Sequence, residues 1–315
     1  MTKVIYWDNE PLPEVGLAAS VGFFDGVHRG HHCLIEQLKE EAQLKILPTA
    51  LITFSNHPRK VLNKEYRPEL LTGTDERLKL LSQTGIDYLI VIPFTPAFSA
   101  LSANEFIHEI LCKQLHVQLL LIGHDHKFGK DRKENFDDYV RYGSLCDMKV
   151  IQAYRYEEGD DKFSSTRIRH YLKEGNVHKA AQLLSYNYTL EGIVQQGNQI
   201  GRNIGFPTAN IRLSEPDKLI PQEGVYAVLV HWNGETYPGM LYIGQRPTVS
   251  SFGEKRIEVH LLNFNQDLYN ESLQVEFVDF IRPGMRFSDL EHLQTQLKKD
   301  RDIIESGKWK SENEE

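Results

Sequence analysis

A chain of 315 residues is longer than one ordinary hydrophobic core serves and suits two domains. With 40% hydrophobic and 25% charged residues it has a globular balance, and 44 acidic against 36 basic side chains (net charge -8) argue against binding nucleic acid or acidic lipid through bulk positive charge. No apolar run reaches transmembrane length and the first residues lack a signal-peptide core, so neither membrane spanning nor secretion is supported.

In chain order, the first informative stretch is Ser20-Val21-Gly22-Phe23-Phe24-Asp25-Gly26-Val27-His28-Arg29-Gly30-His31, a short apolar run broken by glycines. A helical pattern follows it, with Leu34, Leu38 and Ala42 at helical spacing. Residues 47–54, 88–94, 118–123 and 148–154 are short and continuously apolar, which predicts buried parallel strands. Helical spacing recurs between them at 75–83 and 104–115, so the first half reads as an α/β domain with a doubly wound sheet and helices on both faces. Ligands of such sheets bind beyond the carboxyl ends of the strands. Two helices at 166–173 and 177–184 close this domain, with the boundary at 184. From residue 185 the pattern changes to short strands at 188–194, 225–232, 235–243, 255–262 and 273–281, with a hairpin signal at Asn233-Gly234. A small closed antiparallel β-barrel over 185–308 is expected, followed within it by a helix at 287–305 and then by a flexible tail, 309–315. Cys33, Cys112 and Cys146 are widely spaced and odd in number, which predicts reduced thiols and a cytoplasmic protein.

Polar residues collect after three of the strands. The opening turn lacks both the dinucleotide fingerprint and the P-loop lysine, yet it places His28 and His31 around Gly30 at the mouth of a helix. Free helix amides and neutral imidazoles there can hold phosphate oxygens on which charge grows during nucleotidyl transfer; a helix cap and a turn hydrogen bond are the plainer reading. Phe54, Asn56 and His57 end the next strand, and Asp125, His126 and Phe128 follow another. The density at 123–129 favours a ribose, phosphate or flavin contact over a structural metal, and Asp125 could equally cap a turn. Ser164-Ser165-Thr166-Arg167-Ile168-Arg169 offers hydroxyls and a guanidinium at a second helix start; it could equally be a capped surface helix. In the second half, Gly201-Arg202 and Gly205-Phe206-Pro207-Thr208-Ala209-Asn210 form a glycine-punctuated loop in which Thr208 and Asn210 could reach a hydrated Mg²⁺, or simply a barrel turn. Strict alternation puts Arg256, Glu258 and His260 on one side of a strand, either a solvated face or the wall of a site where Glu258 takes a proton from a substrate hydroxyl.

These strings, in this order, resemble the bacterial bifunctional riboflavin kinase/FMN adenylyltransferase family, also called FAD synthetase. The resemblance implies an adenylyltransferase domain over 1–184, in which His28 and His31 contact ATP phosphates. Gly22, Phe23, Asp25, Gly26, Gly30, Ser164, Ser165, Thr166 and Arg169 then line the phosphate site. Phe54, Asn56, His57, Asp125, Phe128 and Arg132 are implied for flavin or nucleotide. It implies a kinase domain in the barrel, with Gly201, Gly205 and Pro207 at ATP, Thr208 and Asn210 on Mg²⁺, Glu258 as base for the riboflavin 5′-hydroxyl and Arg282 near the flavin or nucleotide. ATP would be the donor in both steps, ADP a by-product of the first, and FMN and FAD products rather than prosthetic groups. No nucleic-acid or membrane partner is expected, and a weak homo-oligomer is left open. Three departures stand out: Glu134 where glycine is common, Tyr242 where asparagine is common, and Asn263 where aspartate is common. A barrel that only senses flavin, or one that binds oligonucleotides, would be the alternatives.

Overall fold

Five consecutive buried residues, Leu17–Val21, form the central strand β2 of a six-stranded parallel sheet in the computed structural model. The structure describes residues 1–63, 65–124, 127–130, 133–154, 157–158, 161–196, 201, 204–245 and 255–307. Asp125, His126, Arg132, Gly197, Arg202 and the tail expected over 309–315 lie outside them. The chain divides into two compact units, Met1–Ser165 and Thr166–Glu315.

In the first unit the strands are β1 (Lys3–Tyr6), β2, β3 (Thr49–Phe54), β4 (Tyr88–Ile92), β5 (Val117–Ile122) and β6 (Lys149–Gln152), in the spatial order β1-β4-β3-β2-β5-β6. The helices are α1 (Arg29–Lys45), α2 (Pro58–Leu62), α3 (Thr74–Ser82), α4 (Pro96–Ser99), α5 (Ala103–Glu105) and α6 (Phe136–Ser144). Alternate residues of β2 face opposite sides. Ala18 joins a core with Ile35 and Leu38 of α1 and Leu78 and Leu81 of α3, while Leu17, Ala19 and Val21 pack against Phe106, Ile107, Leu111 and Tyr139. Helices therefore cover both faces, as the continuous apolar strands required. The expected helix at 104–115 is wound differently: after α5 it continues as a π-helix over Phe106–Gln114. Strand β1 has no counterpart in the sequence reading. Chain order runs from β2 outward through β3 and β4, then returns to β5 on the other side, so the order reverses beside β2. The turn after β2 and the segments after β3 and β5 thus emerge from three adjacent strands at the switch point.

The expectation of three reduced thiols is corrected. The sulfurs of Cys112 and Cys146 are bonded, and Cys33 stays outside the disulfide. The two lie 34 positions apart, a separation that carries no pairing signal until the π-helix packs beside the turn after α6.

A two-residue hairpin, β7 (Glu157–Glu158) with β8 (Asp161–Lys162), precedes α7 (Ser165–Lys173) and α8 (Val177–Leu184). The second unit is a closed antiparallel barrel of β9 (Thr189–Gln195), β10 (Ala209–Leu213), β11 (Gly224–Trp232), β12 (Glu235–Gln245), β13 (Lys255–Leu261) and β14 (Ser272–Arg282), ordered β10-β13-β12-β11-β14-β9. Asn233 (φ 48°) and Gly234 (φ 82°) both take the left-handed conformation that a two-residue hairpin turn between β11 and β12 demands. Tyr226, Val228, Leu241, Ile243, Ile257 and Val259 are almost completely buried. The intervening Val225, Ala227 and Met240 cluster instead with Leu297 and Ile304 of the last helix, α9 (Leu290–Glu305). One outer face of the barrel is therefore roofed by α9. Strand β10 was expected only as the end of a loop.

Candidate active sites

The turn after β2 is held in an unusual backbone path. Phe24 (φ 56°), Gly26 (φ 81°) and Val27 (φ 37°) all have positive φ, a cost of about 1–3 kcal/mol for each non-glycine residue that surrounding contacts must offset. Those contacts are visible. Asp25, buried, accepts hydrogen bonds from the amides of Leu71 and Thr72, while the Gly26 amide donates to the Thr72 hydroxyl. Asp25 was expected beside phosphate; here its carboxylate turns inward and ties the turn to the segment that begins α3. His28 caps α1 with extended backbone, and no acidic residue occupies the first turn to oppose an anion at this positive helix end. The His28 and His31 rings stack at 3.7 Å, and a side chain at Gly30 would press on the His28 ring. Burial, followed by the neighbouring His28 and His32, holds the His31 pKa well below its ordinary value. Its Nδ1 is buried without a hydrogen-bond partner among the described residues. Ser165 donates its hydroxyl to the Asp25 carbonyl, 2.9 Å away.

Two further segments flank this turn. Asn56 bridges the ends of β3 and β4 by exchanging two hydrogen bonds with the Phe94 backbone. His57 caps α2 by accepting from the Arg59 amide, and its ring meets the edge of Phe23 at 4.8 Å. Phe54 is buried against Phe94 and Phe98. The sequence reading missed Arg77 of α3. It is fully buried, lies over the Phe23 ring, and donates to the Phe54 carbonyl at 2.6 Å. Phe128 packs its ring between Phe106 and Tyr139 and receives on its amide the Tyr139 hydroxyl oxygen as acceptor; it anchors the segment after β5 rather than facing solvent. Arg169 is half-buried on α7, and Thr166 is exposed at its start.

In the barrel, strand register assembles the second site. Asn210 of β10 pairs with Glu258 of β13, Glu258 with Tyr242 of β12, Tyr242 with Val225 of β11, and Val225 with Arg282 of β14. Direct cross-strand partners share a face, so these five residues form one row on the face roofed by α9. The stripe Arg256, Glu258 and His260 is thus a wall and not a solvated surface. A cavity of about 300 Å³ is bounded by Thr208, Tyr242, Glu258 and Arg282, with Met285 and Leu297 on the helix side. A second, about 320 Å³, lies on the other side of Thr208 and is bounded by Pro207, Phe264, Asp267 and Tyr269. Burial raises the Glu258 pKa, partly opposed by the Arg256 guanidinium paired with it. Arg256 also donates from Nε to the Asn210 side-chain oxygen at 3.2 Å. His260 donates from Nδ1 to the Pro207 carbonyl at 2.8 Å, and burial holds its pKa low. The loop before β10 closes through the Phe206 amide donating to the Gly201 carbonyl, an approach so tight that a Cβ at Gly201 would strike the Phe206 carbonyl oxygen. Gly205 (φ 80°) and Asn263 (φ 56°) take left-handed backbone that Gly and Asn tolerate. The guanidinium of Arg282 is committed to Asp300 of α9 in a buried forked pair, Nη2 to Oδ2 at 2.6 Å. Asp300, 90 positions from Asn210, had no signal in the sequence.

Comparison with known proteins agrees with this two-site geometry. The FAD synthetase family model matches residues 13–167, and the riboflavin kinase model matches residues 184–306. A bifunctional riboflavin kinase/FMN adenylyltransferase of Listeria monocytogenes is 39% identical over 288 residues, 91% of each chain. Those of Escherichia coli and Bacillus subtilis are each 37% identical, over 289 residues (91% of each chain) and 291 residues (90% of this chain, 89% of that one). A solved structure described as a macrolide-efflux protein from Streptococcus pneumoniae superposes with a TM-score of 0.85 at 32% identity, covering 96% of this chain and 98% of that one. Among the described residues here, no helix is long and apolar enough to cross a membrane. With an FAD synthetase model matching the first half, a riboflavin kinase model matching the second, and relatives matching along nine-tenths of the sequence, the chain belongs to the bifunctional riboflavin kinase/FMN adenylyltransferase family.

Proposed function

We propose that this one chain phosphorylates riboflavin with ATP to give FMN and ADP, and adenylylates FMN with ATP to give FAD and pyrophosphate. The observation that carries the reading is the register row Asn210-Glu258-Tyr242, which sets a carboxylate of raised pKa beside an amide side chain, with Glu258 and Tyr242 lining the cavity under α9. Glu258 accepts the proton of the riboflavin 5′-hydroxyl as that oxygen attacks the γ-phosphorus of ATP; the bond to ADP breaks and FMN forms. Arg256 favours the ionised form of Glu258 and so opposes the effect of its burial. The apolar cavity under α9 suits the flavin ring, and the cavity beyond Thr208 suits the nucleotide.

Thr208 and Asn210 offer two neutral oxygens, a donor set that fits a Mg²⁺ held mainly by nucleotide phosphates and water. The Asn210 oxygen accepts one bond from Arg256 and keeps a second lone pair. Mg²⁺ bound there would neutralise phosphate charge. In the other unit, a phosphate oxygen of FMN attacks the α-phosphorus of ATP and pyrophosphate leaves. Phosphate is already a competent nucleophile, so the protein contributes donors and orientation: His28, His31 and the positive N-terminal end of α1 meet the growing negative charge. The orphaned, buried Nδ1 of His31 supports that role. FMN and FAD leave as products, and the demand for ATP suits a cytoplasmic setting.

Purified protein given riboflavin, ATP and Mg²⁺ is expected to accumulate FMN and then FAD when flavins are separated over time. His28→Ala should abolish mainly FAD formation and Glu258→Ala mainly FMN formation. Loss of both activities in either folded variant would reject two independent sites.

A further inference from the structure

Tyr242 occupies the centre of the register row, between Glu258 on one side and Val225 on the other. Neighbouring strands lie about 4.7–4.9 Å apart, which puts the ring one strand from the carboxylate. While Val225 and Met240 on the same face are buried beneath α9, Tyr242 remains 38% exposed. Its phenol lies along the sheet over two glycines: a Cβ at Gly244 would collide with the phenol oxygen, and one at Gly284 would sit 3.6 Å from it. The ring therefore lies in a slot that Gly244 leaves open, against the cavity shared with Phe206, Met285, Phe287 and Leu297. A flat wall on a largely apolar cavity is matched to a flat aromatic ligand.

We infer that Tyr242 is a substrate-contacting residue of the kinase site, stacking the tricyclic ring of riboflavin and so fixing where its ribityl hydroxyl falls relative to Glu258. The inference rests on the reading that the cavity under α9 takes the flavin. Stacking adds affinity for flavin and none for nucleotide, which separates it from a purely structural role.

The test measures quenching of riboflavin fluorescence on binding, together with KM values for riboflavin and ATP in FMN formation. Tyr242→Leu, at a half-exposed position, is expected to raise the riboflavin KM about tenfold and to lose most of the quench, with the ATP KM moving less than twofold; Tyr242→Phe, which keeps the flat ring but not the electron-donating phenol, should restore the KM. Met285→Trp, at an exposed position lining the same cavity, should also raise the riboflavin KM by crowding it. A Tyr242→Leu variant with unaltered riboflavin KM and quench, beside a defective Met285→Trp, overturns the stacking role alone. If neither variant changes riboflavin binding, the assignment of the cavity to flavin is itself wrong, and the inference falls with it.

Discussion

The guanidinium carbon of Arg77 lies 3.9 Å from the ring centroid of Phe23 while the same side chain donates to the Phe54 carbonyl. One buried cation thereby fixes the residue that opens the histidine turn and the residue that ends the adjacent strand. Phe23 in turn meets His57 edge-on. Replacing Arg77 by Met should remove the charge-assisted hydrogen bond and the cation–π contact, a loss of about 2–4 kcal/mol. FAD formation should fall with a raised KM for FMN, FMN formation should persist, and Arg77→Lys should recover part of the loss. Thermal unfolding and separate assays of the two reactions check this.

His31 gives a stability signature. Its folded pKa lies below the ordinary 6.5 because the ring is buried beside two other histidines, so below pH 6.5 the unfolded chain binds the extra proton. Stability should be complete above that pH and decline as pH falls towards the folded value. His32, also depressed mainly by burial, acts in the same direction. Melting curves taken downwards from about pH 7.5, one unit above the ordinary histidine value, should show the decline, and His31→Asn should flatten it.

Glu258 gives an activity signature of the other sign. Burial raises its pKa above the ordinary 4.5, and a proton acceptor in the role proposed for it works only when deprotonated. The kcat/KM for FMN formation should therefore fall on the acid side through a pKa above 4.5, while FAD formation from supplied FMN should not follow that limb. Glu258→Gln should lower FMN formation by roughly 10²–10⁴-fold and erase the limb.

The Arg282–Asp300 pair holds α9 to the barrel with Asp300 fully buried. Asp300→Ala leaves the guanidinium without its carboxylate, a cost of about 3–5 kcal/mol. FMN formation should be lost before FAD formation, and the double variant Arg282→Met, Asp300→Leu should be more stable than Asp300→Ala. Chemical denaturation of the three proteins decides it.

Much of this architecture is legible in the chain. Continuous apolar runs mark strands buried on both faces, as in Thr49–Phe54; a two-residue Asn-Gly turn marks the β11–β12 hairpin; and alternation places Arg256, Glu258 and His260 on one side of β13. These signals are local, since they depend on the periods of strand and helix and on the backbone that glycine and asparagine tolerate. Edge strand β1, the π-helical winding of Phe106–Gln114 and the bonding of Cys112 to Cys146 carry no such local mark.

By itself, then, the sequence determined two units of different class, the histidine turn at a strand end, and the alternation that lines up Arg256, Glu258 and His260. Tertiary structure alone decided how they are used. Asp25 turns inward to Leu71 and Thr72, Arg77 backs Phe23, Arg282 is taken by Asp300, and Tyr242 comes to stand beside Glu258. Each of these relationships joins positions 16 to 54 residues apart. The burial and register that set them arise only when strands pair and helices close over the sheet, because a side chain's partners are chosen by packing across the fold rather than by its neighbours along the chain.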